Sequence, residues 1–124
     1  MAEISVFRPG DVSYLRIPAA DLTKSAAFYA AVFGWKADGD AGRFEDATGH
    51  VIGHFRTDLP VVGEAGVIPY VYVRDIDGTL ASVQESGGEL LTEPYAEGEL
   101  WVAVTRDPAG NAIGVWQQGP RRRG

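Results

Sequence analysis

Two histidines, His50 and His54, are the side chains of this 124-residue chain best suited to metal or proton chemistry, and they stand four residues apart. On a helix that spacing would bring both imidazoles to one face, within reach of a single zinc ion. The surrounding run, Gly49-His50-Val51-Ile52-Gly53-His54-Phe55, reads instead as a strand. There the two residues share a face but lie about 13 Å apart at Cα, too far for one ion to bridge. His50 then reads as a surface residue beside a turn and His54 as a partly buried one. An unorthodox ion site using Glu45, Asp46 or Glu99 stays open. The chain has no cysteine, which removes disulfides, thiolate zinc sites and a cysteine nucleophile. It also lacks a GxSxG elbow, a Walker loop and a GxGxxG turn. Tyr14, Tyr70 and His54 remain as groups for metal-free acid or base chemistry, and spacing singles out no pair among them.

The elements that must position these residues come in a repeated order. Val12 to Ile17 is a β-rich run, followed by Asp21 as a helix cap and by apolar residues at Leu22, Ala26, Tyr29, Val32 and Phe33, with Gly34 as the stop. Short strands are predicted at Trp35–Ala37, Arg43–Glu45 and Val51–Phe55, separated by Asp/Gly turns. From Val67 the order returns. Val67–Val73 is predicted as a strand and Asp75 as a cap. A helix with Ile76, Leu80 and Val83 inward follows, then Gly87-Gly88, then strands at Glu89–Thr92, Leu100–Thr105 and Ala112–Gln117. The segment Asp46–Phe55 lies over Asp107–Trp116 with identity at the Asp, the turn Gly, the Ile and the second Gly. The expected organisation is one domain over 1–124: a first βαβββ half over about 11–58, a linker over about 59–65, a second half over about 66–118 and a tail over 119–124.

The net charge is −6, and Arg121, Arg122 and Arg123 hold three of the eleven basic residues, leaving eight cations against seventeen carboxylates elsewhere. So acidic a body repels phosphate backbones, which argues against nucleic acid as a partner. The arginine tail reads as a solvated end without function. No apolar run approaches the roughly 20 residues of a membrane helix, and Met1-Ala2-Glu3-Ile4 does not resemble a signal peptide. The expectation is a cytoplasmic protein with no membrane partner.

Three motifs resemble the vicinal oxygen chelate superfamily, the glyoxalase/bleomycin resistance/dioxygenase proteins. They are the helix start at Asp21-Leu22 with Ala27–Trp35, the run Pro69–Asp77, and Arg106-Asp107-Pro108-Ala109-Gly110-Asn111. The resemblance spans about Val12 to Gln118 and implies an α+β fold, two βαβββ modules forming a cup-shaped mixed sheet with helices outside. In catalytic branches, it further implies, a divalent metal sits in the cup on ligands from the first and last strand of each half. Those positions carry across to Tyr14, Gly53, Ile68 and Gly114, seven residues before each helix cap and seven after Asp46 and Asp107. Ile and Gly bring no donor, and a phenol is a poor ligand at ordinary pH. The expected cofactor set is therefore none.

Strand alternation then predicts the residues that line the cup. A ligand-binding set of Tyr14, Arg16, Phe55, Ile68, Tyr70, Tyr72 and Trp116 follows, joined by Val51 and Ala112, with room left by Gly53 and Gly114. Leu15, Ile17, Ile52, Val71, Val73, Ile113 and Val115 should face the helices. Such a lining suits a flat, largely apolar or aromatic small molecule, with Arg16 available to an anionic group. Three functions stay open: a non-catalytic binder of the sequestration or resistance type, an enzyme of the lyase or dioxygenase type with an atypical metal site or cofactor-free chemistry, and an interaction module with a filled cup. The resemblance also implies a possible homodimer.

Overall fold

The computed structural model describes residues 7–121. In chain order the elements are β1 (Tyr14–Pro18), α1 (Leu22–Phe33), β2 (Lys36–Ala37), β3 (Arg43–Glu45) and β4 (Ile52–Arg56), a 3-10 turn at Gly63–Ala65, then β5 (Tyr70–Tyr72), α2 (Ile76–Glu85), β6 (Glu89–Glu97), β7 (Leu100–Arg106) and β8 (Ala112–Gln118). Both helices start as the sequence predicts. The Asp21 carboxylate accepts the Lys24 N–H at 3.1 Å and the Asp75 carboxylate the Gly78 N–H at 3.1 Å, each satisfying an otherwise orphaned donor of the first turn. Helix α1 ends at Gly34, whose φ of 74° closes the helix in the left-handed conformation a side chain would resist.

The strands form two four-stranded mixed sheets ordered β1-β4-β3-β2 and β5-β8-β7-β6. In each, the first strand runs parallel to the last and the others pair antiparallel. A parallel pair needs a crossover, and the helix of each half supplies it. The helices also pack on each other, so both sheets turn one face towards a shared helical layer. The core there joins Phe28 and Tyr29 of α1, Val83 of α2, Phe44 and Phe55 of the first sheet and Ile113 of the second. A smaller cluster of Ile76, Ala103 and Val115 extends it under α2. Polar contacts fasten the halves together: Tyr29 Oη donates to Asp107 Oδ2 at 2.8 Å, Asn111 Nδ2 donates to the Pro18 carbonyl at 2.7 Å, and Ser82 Oγ donates more weakly to the Ala31 carbonyl at 3.5 Å. Among the described residues, no helix packs on the opposite face of either sheet.

Three expectations need correction. Strand β5 is only Tyr70–Tyr72, because Pro69 has no N–H to give a ladder; Val67 is 97% exposed and Ile68 lies outside the strand. Strand β6 runs on to Glu97, past register shifts between Leu90 and Thr92 and between Thr92 and Tyr95. It is the sheet's outer edge, where Pro94 and a bulge are tolerated. Arg121 is not a loose end: its guanidinium bonds Asp77 at 2.6 and 3.3 Å and lies 5.1 Å from the centre of the Trp101 ring. Arg122 and Arg123 lie outside the described residues. No helix among the described residues is long and apolar enough to cross a membrane.

Candidate ligand-binding site

Which side chains reach the bare faces is decided by two turns of unequal length. At β7–β8 the Asp107 N–H bonds the Asn111 carbonyl at 2.9 Å, and Asp107 Oδ1 accepts the N–H groups of Ala109, Gly110 and Asn111. At β3–β4 the Asp46 N–H bonds the Val51 carbonyl at 2.8 Å, and Asp46 Oδ1 accepts from Thr48, His50 and Val51. The aspartate organises both turns, but the β3–β4 turn holds one residue more. Pairing agrees, since Glu45 faces Ile52 where Arg106 faces Ala112. A one-residue offset turns every following side chain over. The residue equivalent to Gly114 is therefore His54, and Gly53 corresponds to Ile113.

This corrects three predicted positions. Phe55 is not on the bare face: it is 2% exposed, within 4.8 Å of the Phe44 ring centre and 5.5 Å of Tyr29's. Gly53 is buried on the core side, where a Cβ would overlap the Leu15 carbonyl and the Phe44 ring. It leaves no room for a ligand. Ile52, assigned to the helix side, stands with His54 and Arg56 on the bare face. The sequence held the signal: in Ile-Gly-His-Phe-Arg the one large apolar residue between polar neighbours is Phe55.

The second sheet follows the predicted alternation. Tyr70 and Tyr72 pair across β5–β8 with Gly114 and Trp116, and Val102 and Val104 of β7 continue these rows. The space at Gly114 is taken, because the Tyr70 ring lies across it. That glycine lets the ring rest on β8 with its other side towards solvent. Tyr72 and Trp116 meet at 4.9 Å between ring centres. Tyr70, Tyr95, Glu97, Leu100, Val102 and Trp116 surround a recess of about 370 Å³. Tyr95 was not predicted, because β6 was expected to stop short of it. Tyr70 is exposed by 45%, Tyr72 by 50% and Tyr95 by 41%, so the layer is open. Burial, and the negative charges of Glu97 and Glu64, raise the Tyr70 phenol above its ordinary value. A second, more apolar hollow of about 560 Å³ lies between β1 and β5, with Tyr70, Leu15, Trp35 and Ile113 among its walls.

The first sheet's bare face differs in character. Its rows are Tyr14, Ile52, Glu45 and Lys36, then Arg16, His54 and Arg43. Tyr14 Oη lies 2.6 Å from His54 Nδ1, a pairing that spacing alone did not reveal. The face opens on a recess of about 560 Å³ lined by Tyr14, His54, Arg43, Glu45, Lys36 and Asp38, among others. Asp38 is held below the usual carboxylate range by the N–H groups of Asp40 and Ala41.

A divalent ion fits this arrangement poorly. Ile68 and Gly114 bring no donor, and Tyr14 and His54 are bonded to each other. Glu45 pairs with Lys36 at 3.6 Å, and the Asp46 carboxylate is taken by its own turn. Among the described residues no three His, Asp or Glu side chains cluster to hold a metal.

The family model for the glyoxalase-like domain matches residues 14–116. A glyoxylase-like domain-containing protein of Didymella fabae is 31% identical over 99 residues, which cover 72% of this chain and 77% of that protein. The anthracycline biosynthesis protein DnrV of Streptomyces peucetius is 28% identical over 91% of this chain and 49% of its own length, so the chain spans about half of that relative. Among solved structures, TnmS3, an antibiotic binding protein from Streptomyces sp. CB03234, superposes with a TM-score of 0.65 at 21% identity, covering 89% of this chain and 97% of that one.

Proposed function

This chain belongs to the glyoxalase-like domain family of the vicinal oxygen chelate superfamily, and from that premise we propose that it is a metal-free binder of a flat, largely aromatic small molecule. The observation that carries the reading is the open aromatic layer on the second sheet. Rings that merely filled the cup would be buried, whereas Tyr70, Tyr72 and Tyr95 stand between 41% and 50% exposed above a nearly buried floor of Val102 and Val104. Tyr70, laid over Gly114, offers one free π-face, and a planar ligand gains both stacking and apolar contact there. The donor set argues for an organic guest over an ion. Relatives described as an antibiotic binding protein and an anthracycline biosynthesis protein support the same class of ligand.

Thermal shifts test it. A panel of planar aromatic compounds is expected to contain members that raise Tm by several degrees at concentrations well above Kd. Tyr70→Ala and Trp116→Ala should each shrink that rise. Divalent zinc, nickel, manganese and magnesium should each give none after treatment with chelator. A panel without a hit, together with a dimer in solution that buries these rings, would overturn the reading, and so would a large shift with one ion.

A second reading has one observation behind it. The short Tyr14–His54 contact is the geometry of a proton-transfer pair, which a metal-free lyase or isomerase could use. Its mark would be turnover abolished by His54→Gln with ligand affinity retained.

A further inference from the structure

The first sheet sets three nitrogen-bearing side chains in one transverse row. Arg16 faces His54 across β1–β4, and His54 faces Arg43 across β4–β3. With strands about 4.8 Å apart, the row spans about 10 Å at the backbone. The two guanidinium-bearing strands flank the histidine strand, and no carboxylate in the row separates the like charges, so stability alone does not favour the row. Elsewhere on this face the chain neutralises its cations, Lys36 with Glu45 at 3.6 Å and Arg56 with Asp58 at 2.7 Å. Arg16 and Arg43 make no ion pair among the described residues. Their acidic neighbours act at longer range: Asp58 feels Arg16 and Asp38 feels Arg43, but the first is bonded to Arg56 and the second to its own turn.

His54 completes the row. In the tautomer that accepts the Tyr14 hydroxyl at Nδ1, the ring carries its proton on Nε2 and offers a donor in the middle strand of the row, between the strands that bear Arg16 and Arg43. Planar, donor-only groups in line are matched by a planar, acceptor-only group. A chain of net charge −6 gains nothing from such a row in general anion attraction, which makes a specific local partner the better explanation.

We propose that Arg16, His54 and Arg43, on the bare face of the first sheet, form a site for the carboxylate of a small-molecule guest, with an aromatic carboxylate as its probe. This rests on the reading that the bare faces bind a small molecule and names the chemistry of that molecule. His54 and Arg43 thereby join Arg16 as specificity-determining residues.

Titration calorimetry with 2-naphthoate and its neutral isostere 2-naphthamide tests it, with amide chemical shifts mapping the contacts. The acid is expected to bind at least about tenfold more tightly, and its advantage should shrink as salt is raised from 50 to 500 mM. Arg16→Gln and Arg43→Gln should each weaken the acid about fivefold or more and leave the amide unchanged. Both side chains are exposed, so unchanged Tm values will show that the variants fold. Equal affinity for the two probes, with no effect of either variant, would overturn the carboxylate site and leave the aromatic binder standing. Absence of binding by both probes would remove the binder itself.

Discussion

A methyl group added at Gly53 would meet the Leu15 carbonyl and the Phe44 ring, whereas at Gly114 its nearest neighbours would be atoms of the Tyr70 ring. The two glycines occupy matching places in the repeated segment, yet the obstacles differ in kind. A backbone carbonyl within a strand pair cannot retreat without breaking the ladder, while a half-exposed tyrosine can swing outwards. Gly53→Ala is therefore expected to cost about 1–3 kcal/mol by overpacking. Gly114→Ala should cost well under ~1 kcal/mol but lift Tyr70 from its seat and weaken aromatic ligands severalfold. Chemical denaturation measures the first and calorimetry the second. Equal destabilisation by both would contradict the assignment of the glycines to opposite faces. The same local logic explains why Phe55 was misplaced: its neighbours His54 and Arg56 mark it as inward, but identity at Gly53 and Gly114 suggested otherwise.

At the level of elements, the order of strands and helices was legible because caps, stops and apolar spacing are local signals. Asp21 and Asp75 cap where expected and Gly34 closes α1. The register of β4 was not legible from aligned identities, since it depends on how many residues its turn spends between two hydrogen bonds. His50 is the surplus residue, and it sets Phe55 inward and His54 outward. Nor was the Tyr14–His54 contact legible, because 40 residues separate its members and only the parallel β1–β4 pairing joins them. Deleting His50 tests the role of the turn. The shortened turn should copy the second half's geometry and drive Phe55 towards solvent, replacing a core ring by His54. A loss of cooperative unfolding, or a fall in Tm of roughly 10 °C or more with new binding of a hydrophobic dye, is expected. Retention of the parent Tm would show that the extra residue does not set the register.

In the molecule as a whole, the two sheets are held to one core by a small number of groups, of which Tyr29 is the most connected. It is 1% exposed in α1, stacks at 4.7 Å on Trp35, and donates its hydroxyl to Asp107, the aspartate that organises the β7–β8 turn. Burial, then the charge of Asp107 and the hydrogen bond to it, push the phenol well above its ordinary value of 10.0. In the unfolded chain Tyr29 ionises near 10, whereas in the fold it keeps its proton, so above that pH the folded state binds more protons than the unfolded one. The contribution is complete below about pH 10 and is lost as pH rises from there towards the folded value, at about 1.4 kcal/mol per pH unit. Tyr29→Phe has no proton to lose. It should cost about 1–3 kcal/mol at pH 7, because Asp107 loses a buried donor while keeping Asn111, and it should flatten the fall in stability between pH 10 and 11. Tyr70, also raised but half-exposed, remains in both proteins and cancels from the comparison. Denaturant midpoints of parent and variant at pH 7, 10 and 11 decide the matter: parallel lines across that range would mean that the hydroxyl joining the halves is not held protonated by the fold.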